Sequence, residues 1–327
     1  MVQAALSPTP SRVFITGASG FIGGALARRY RELGSEVRGV DLQPDPGLGV
    51  VEGDVSEPGP WQDHATGAEL VIHTAAIISF GGEFERFWRI NTVGARNAID
   101  AAVRAEADRF VHLSSIVVFG VDYPDGADES RPVKPTGAPY TDTKVAAEQA
   151  VLGAHAAGEI PCTIVRPGDV YGPGSDPWLL RPLEAIKSGG FALPDGVVTP
   201  VYIDDLVDGV VLAASEPRAA GEILTLTDGT KVDNRSFFEP YHRWLGKGEP
   251  RILPAPLLKA ATWPVAKVAQ LRGTDTDLTP ATMEYFTRRN GYSIEKAREL
   301  LGYEPKVSFE EGMERSREWA EKHGLLT

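Results

Sequence analysis

The sequence predicts an α/β fold in which a doubly wound parallel sheet carries helices on both faces and is followed by a smaller, mostly helical C-terminal lobe. Three observations lead there. Short β-branched and apolar runs alternate with helical stretches over the first half of the chain, the pattern of buried parallel strands joined by crossover helices. The first of these runs breaks into a glycine-rich turn, TGASGFIGG, which opens an amphipathic helix. After residue 166 the texture changes to Gly- and Pro-rich segments and then to helices. With 327 residues the chain exceeds one ordinary core, so a Rossmann-type domain is expected over 1–170. Segment 201–230 returns to it, and 171–200 with 231–327 form a substrate lobe.

The elements follow in order. Residues 13–16 read as a strand, glycines 17, 20 and 23 as a tight turn, and FIGGALARRYREL as a helix that stops at Gly34. Runs at 36–40, 50–51, 70–74, 110–114 and 163–166 read as further short buried strands. The clearest later helices are 89–104 and 140–155, both rich in alanine. Residues 167–200 show little periodicity and read as loops covering a site. A strand and helix follow over 201–214, then a strand over 222–227. From 236 onward the chain reads as largely helical, with Ser308 as N-cap of the last helix. Segment 255–271, APLLKAATWPVAKVAQL, is apolar with two lysines and an internal Pro264, and suits a packing or lid helix or one lying at an interface.

Composition narrows the function. A net charge of −12 and a pI near 5.1 would repel phosphate backbones and anionic lipid, so no nucleic-acid partner is expected. The single cysteine, Cys162, excludes an internal disulfide and reads as core. Residues 1–12 hold no apolar stretch of signal-peptide length and no later run approaches a membrane span, so a cytoplasmic protein without stable membrane insertion is expected. No metal is expected.

The chemistry begins at the glycine turn. Gly17, Gly20 and Gly23 let backbone approach a pyrophosphate, and the N-terminus of the following helix points free N–H groups at that anion. Asp41 closes the second strand, where a carboxylate accepts hydrogen bonds from ribose hydroxyls and repels a 2′-phosphate. That favours NAD over NADP, although Arg38 stands nearby. Asp54 follows the third strand and suits either an adenine contact or a plain turn. In PYTDTK, Tyr140 and Lys144 are four residues apart and so share one helix face. A phenol has a pKa of about 10, and a nearby fixed cation brings its anion into working range as a base.

Taken together, TGASGFIGG, Asp41, Asp54, HTAA at 73–76, INTVGARN around Asn91, HLSSIVVFG at 112–120, PYTDTK at 139–144, VRPGDVYGPG at 165–174 and VYIDDLVDG at 201–209 resemble the extended short-chain dehydrogenase/reductase superfamily. The likeness spans nearly the whole chain. It implies that Tyr140 is the general acid/base, that Lys144 holds the nicotinamide ribose and lowers the tyrosine pKa, and that Ser115 hydrogen-bonds the reacting oxygen. Strand alternation sends Ser114 to the opposite face. The resemblance extends the NAD site to Ser19, Phe21, Ile22, Val55, Thr74, Ala75, Ala76, Lys144 and Pro167. It also makes Asn91 a brace at that site. Asp204 and Asp205 read as organisers behind the site or as helix caps.

Within the superfamily, Ile116 and Val117 stand where dehydratases carry acidic residues. VRPGDVYGP lacks the asparagine typical of nucleotide-sugar epimerases. The segments VYIDDLVDGVVLAA, ILTLTDGTKVDNRSFF and LGYEPKVSFEEGMERSREWAEK resemble the 3β-hydroxysteroid dehydrogenase-like branch most. That branch implies NAD-dependent interconversion of a secondary alcohol and a ketone on a bulky apolar substrate. Ile77, Phe80, Tyr123, Trp178 and Tyr202 are the candidate pocket residues, with Phe84 and Trp88 nearby. Phe119 and Tyr202 depart from residues frequent in the branch, a tyrosine and a histidine. A nucleotide-sugar 4-epimerase or reductase using the same residues is the alternative, and a non-catalytic NAD sensor a third reading. The resemblance also implies a homodimer through 89–104 and 140–155, whose alanines would permit close approach.

Overall fold

The alternating buried runs condense into one seven-stranded sheet in the computed structural model of the protein, which describes residues 9–274 and 276–327. Residues 1–8, read above as part of a segment without an export signal, lie outside the described residues. The strands are β1 (Arg12–Thr16), β2 (Glu36–Asp41), β3 (Val50–Glu52), β4 (Leu70–His73), β5 (Arg109–Leu113), β6 (Cys162–Pro167) and β7 (Ile223–Leu226). All pair in parallel, in the spatial order β7-β6-β5-β4-β1-β2-β3. The order reverses between β1 and β4. In such sheets the crevice beyond the carboxyl ends at that reversal is where a ligand fits.

Strand alternation divides the core in two. Val13 and Ile15 of β1 enter one apolar cluster and Phe14 the other. The first cluster takes Leu26 and Tyr30 from α1 (Phe21–Glu32) and Leu206 and Val210 from α4 (Ile203–Ser215). The second takes Ile99 from α2 (Gly94–Arg104) and Val151 from α3 (Pro139–Ala156). Helices therefore cover both faces, and β4 and β6 are buried along their length, which is why their sequences read as continuous apolar runs. Ala95, Ala98, Ala101 and Ala102 of α2 are fully buried within the single chain. Their small size serves close packing inside the subunit.

Beyond the sheet the later helices are α5 (Asn234–Trp244), α6 (Ala255–Arg272), two short ones at Pro280–Tyr285 and Glu295–Leu301, and α7 (Phe309–Lys322). Ser308 caps α7, its hydroxyl accepting from Glu311 N–H at 3.2 Å. Two expectations need correction. Segment 167–200 is more ordered than its composition suggests: Asp169–Tyr171 pairs with Pro200–Tyr202, and Arg181–Lys187 is helical. Strands of two or three residues leave no periodicity to read. Asp204 and Asp205 do not cap α4. Asp205 instead accepts from the N–H groups of Lys306 and Val307 at 2.8 and 3.1 Å, and Asp204 pairs with Arg315. No described helix is long and apolar enough to cross a membrane.

Candidate active site

The turn after β1 is built so that three backbone approaches leave no room for a side chain. Gly17 has φ +71°, and a Cβ there would lie 2.8 Å from Ala75 N and Thr74 Oγ1. A Cβ on Gly23 would collide with the carbonyl oxygen of Gly17, and one on Gly20 would crowd the same atom at 3.1 Å. Gly17 N–H donates to Val40 O at 2.8 Å, and Thr74 Oγ1 donates to Thr16 O at 2.7 Å, so the turn is clamped between β2 and the segment after β4. Gly20 is the N-cap of α1 and offers no side-chain acceptor, which leaves the first-turn N–H groups, with Phe21 and Ile22 beside them, for an external anion.

Asp41 stands at the end of β2, where its carboxylate accepts from Ser19 N–H at 3.1 Å and Gln43 N–H at 3.2 Å. Ser19 Oγ in turn donates to Gln43 O at 2.7 Å. These bonds hold the acidic group at the rim of the glycine turn, where it can receive ribose hydroxyls. Asp54 closes a turn by accepting from Ser56 N–H at 2.8 Å, and Val55 packs on Gly94 at the start of α2. Ala75 and Ala76 are half-buried beyond β4, and Pro167 ends β6. A glycine cradle, a helix N-terminus and a carboxylate on the adjacent strand fit a dinucleotide.

Tyr140 and Lys144 occupy the first turns of α3, both buried. Pro139 is the first residue of the helix, suited by its fixed φ and missing N–H to that place. Burial pushes the Tyr140 phenol up to about 12; a hydrogen bond with Ser115 pulls it down, and the charge of Asp169 pushes it up. Lys144 is lowered to about 8 by burial, against the opposing pull of Glu148. Its Nζ donates to Leu113 O at 2.7 Å. The depressed tyrosine pKa expected from the Lys144 partnership is thus not what the protein alone provides, because desolvation of the phenol, with the charge of Asp169 added, outweighs the hydrogen bond with Ser115. Ser115 stands beside Tyr140, while Ser114 turns away and donates to Glu148 Oε1 at 2.6 Å.

Two supports brace this arrangement. Asn91 accepts from Ile77 N–H at 2.8 Å and donates to Thr143 Oγ1 at 3.1 Å, tying the segment after β4 to α3. It sits in a single π turn, Trp88–Val93, that runs into α2 where an unbroken helix was expected. Behind α3, Glu148 and Arg166 form a buried bidentate pair at 2.8 and 2.7 Å. Beneath, His73 and His112 stack at 5.4 Å with burial holding His73 down at about 3 and His112 well below the usual range.

A cleft of about 400 Å³ opens at the start of α3, with Pro139 and Thr141 in its wall on either side of Tyr140, which does not itself belong to the wall. Phe80, Val117, Pro139, Thr141, Ala266 and Tyr285 shape it, with Gln270, Thr279 and Glu284 among its polar groups and no lysine or arginine among the described residues of its lining. Of the five residues expected in a pocket, Phe80 is there, its ring 6.0 Å from that of Tyr140. Ile77 is half-buried and engaged with Asn91. The other three do not line it. Tyr123 stacks on Tyr292 at 4.7 Å and donates to Asn290 O. Trp178 is wedged against Phe237 and Phe238, and Tyr202 packs edge-on against Tyr171. Each is an aromatic that long-range partners draw into the core.

The sequence reading missed Tyr285 and the groups behind it. Tyr285 Oη donates to Asp169 Oδ1 at 2.5 Å, and Arg288 Nη2 donates to Asp169 Oδ2 at 2.9 Å. The Arg288 guanidinium lies 3.6 Å over the Tyr285 ring and is fully buried. A cation that would otherwise favour an anionic ligand is therefore committed to a carboxylate. Asp169 was visible within VRPGDVYGPG, but nothing local marks Tyr285 or Arg288 as its partners, more than a hundred positions away.

Comparison with known proteins agrees with the geometry. Residues 13–226 match the model of the NAD dependent epimerase/dehydratase family. The chain is 31% identical to a 3-beta-hydroxysteroid dehydrogenase of Mycolicibacterium neoaurum, over 92% of this chain and 89% of that one. It is 30% identical to a 2-alkyl-3-oxoalkanoate reductase of Stenotrophomonas maltophilia, over 93% of this chain and 98% of that protein. Among solved structures, UDP-glucuronic acid 4-epimerase of Bacillus cereus, in complex with UDP-glucuronic acid and NAD, superposes with a TM-score of 0.76 at 21% identity, covering 95% of this chain and 99% of that one. That last likeness is one of fold. The glycine cradle, the helix N-terminus and the matched family together identify the chain as a member of the NAD dependent epimerase/dehydratase family, an oxidoreductase of the extended short-chain dehydrogenase/reductase type whose cofactor is NAD.

Proposed function

We propose that the protein interconverts a secondary alcohol and a ketone on a bulky, apolar, uncharged substrate of steroid-like size. The lining of the cleft carries this reading: Phe80, Val117, Ala266 and Tyr285 give it apolar walls, the Phe80 ring lies against that of Tyr140, and no lysine or arginine is among its described residues, whereas a diphosphate would need a cationic clamp. Arg288 is spent on Asp169. The relative named as a 3-beta-hydroxysteroid dehydrogenase, at 31% identity, supports the same substrate class, and the one named as an oxoalkanoate reductase supports the alcohol–ketone chemistry.

In the oxidative direction Tyr140 takes the hydroxyl proton of the alcohol, and in reduction it returns a proton to the ketone oxygen. Ser115 donates to that oxygen and stabilises the charge developing on it. Lys144 has three N–H donors, one of them on Leu113 O, leaving two for ribose hydroxyls while its charge favours the phenolate. When bound, NAD supplies the acceptor or donor of the carbon-bound hydrogen. Asp41, Ser19 and the glycine turn hold its adenosine and pyrophosphate portions, and Asn91 keeps the segment at Ile77 against α3.

The test is a panel of 3β-hydroxysteroids mixed with protein and NAD, followed by absorbance of the reduced cofactor. Turnover is expected. Conversion of UDP-sugars without net cofactor reduction, and none of steroids, would overturn the reading in favour of epimerisation. Tyr140→Phe is expected to lower kcat by at least about 10²-fold with NAD binding intact. A homodimer through α2 and α3 belongs to the same reading, and sedimentation at increasing concentration tests it.

A further inference from the structure

Helix α6 is unusual in how little of it the protein covers. Only Leu258, Thr262 and Ala269 are buried. Leu257, Trp263, Val268 and Leu271 are 56, 61, 47 and 80% exposed, a concentration of large apolar side chains that a water-facing helix does not carry without a partner. The surface continues beyond the helix. Leu278 and Ile78 are also exposed, and the segments bearing them meet where Ser79 Oγ approaches Thr276 O at 3.4 Å. This surface borders the cleft, because Ala266 and Gln270 of α6 form part of the cleft wall, as do Gly81 and Thr279.

Charge identifies the occupant. Over 255–272 the chain has Lys259, Lys267 and Arg272 and no carboxylate, in a protein of net charge −12. Lys259 is partly engaged by Glu284 at 3.1 Å, and Lys267 reaches Gln270. A second copy of this chain would bring like cations against each other across a symmetric contact. An anionic bilayer accepts both features at once: aliphatic side chains enter the acyl boundary, Trp263 lies at headgroup depth, and cations meet lipid phosphates. The helix has 18 residues with Pro264 inside it and is not apolar enough to span, so it would lie on the surface.

We propose that α6, with the adjoining segments at Ile78 and Leu278, seats the protein reversibly on an anionic lipid surface, with the mouth of the cleft turned toward the lipid. An apolar ligand would then pass between bilayer and cleft without crossing water. The docking itself does not depend on the substrate assignment and is read without turnover.

The experiment floats the full-length protein with phosphatidylcholine vesicles containing about 30% phosphatidylglycerol, and with phosphatidylcholine alone. Wild type is expected to float with the anionic vesicles and to be partly released at high salt. Trp263→Glu combined with Leu271→Glu is expected to bind at least about tenfold more weakly. Because both positions are exposed, its circular dichroism and NAD binding should match wild type. Wild type that stays with the free fraction in both lipids, or a double variant that floats as well as wild type, would overturn the proposal. So would a wild-type dimer that the double variant loses while neither binds vesicles, since that outcome assigns the face to a second copy.

Discussion

Glu148→Gln isolates the charge on which the region behind α3 depends. The substitution keeps the side chain's shape and removes the charge. Glu148 Oε1 accepts from Ser114 Oγ and Arg166 Nε, and Oε2 accepts from Arg166 Nη2 at 2.7 Å. Both partners of the pair are at most 2% exposed, and the guanidinium lies 4.7 Å from the centre of the Phe119 ring. An amide cannot neutralise Arg166, and breaking such a buried pair from one side costs about 3–5 kcal/mol. With an unfolding entropy of about 2.1 cal/mol/K per residue over 327 residues, the melting temperature should fall by about 4–7 °C. Calorimetry at one fixed scan rate measures it. Replacing both members, Glu148→Leu with Arg166→Met, should recover most of the loss, because no charge is then left buried. The same carboxylate holds up the pKa of Lys144. In Glu148→Gln the ammonium should therefore be lost below about 8, and the alkaline limb of the pH–rate profile should move to lower pH. A melting temperature within about 1 °C of wild type would refute the account of the pair.

Three further outcomes are expected. Gly23→Ala drives a methyl into the Gly17 carbonyl and should weaken NAD binding by at least about tenfold while the fold persists; calorimetric titration with unchanged affinity would contradict the turn geometry. Asp41→Ala should improve NADP relative to NAD by about tenfold, measured as a ratio of kcat/KM values, and an unaltered ratio would remove Asp41 from cofactor selection. His73 and His112 are held neutral when folded, His73 down to about 3, by burial, whereas in the unfolded chain they titrate near about 6.5. Between those values the unfolded state binds more protons, so stability is full above the unfolded pKa and falls with acid by up to about 1.4 kcal/mol per pH unit for each ring. Urea unfolding at pH 7 and pH 5 should show a smaller acid loss in His112→Leu than in wild type; equal losses would sink this explanation.

Much of the nucleotide side of the protein was legible because its determinants are local. A glycine turn that must avoid its own carbonyl, a helix starting within it and an aspartate ending the next strand all fall within one strand–helix–strand unit. The four-residue spacing of Tyr140 and Lys144 likewise survives folding, since a helix fixes it. Ser114 and Ser115 separate as strand geometry requires, one toward Glu148 and the other toward Tyr140.

The substrate side was not legible in the same way. Trp178, Tyr202 and Tyr123 look like pocket aromatics until Phe237, Tyr171 and Tyr292 arrive from distant segments to cover them. The sign of the Tyr140 shift also waited for the fold, because desolvation is a property of everything packed around the phenol. By itself the sequence determined the sheet, the nucleotide turn and the pairing of phenol with ammonium, all of which rest on spacings of a few residues. The tertiary structure alone decided which apolar side chains face the cleft, that Arg288 is bound to Asp169, and that α6 presents its apolar face to the outside, because those depend on contacts between parts of the chain that carry no record of one another.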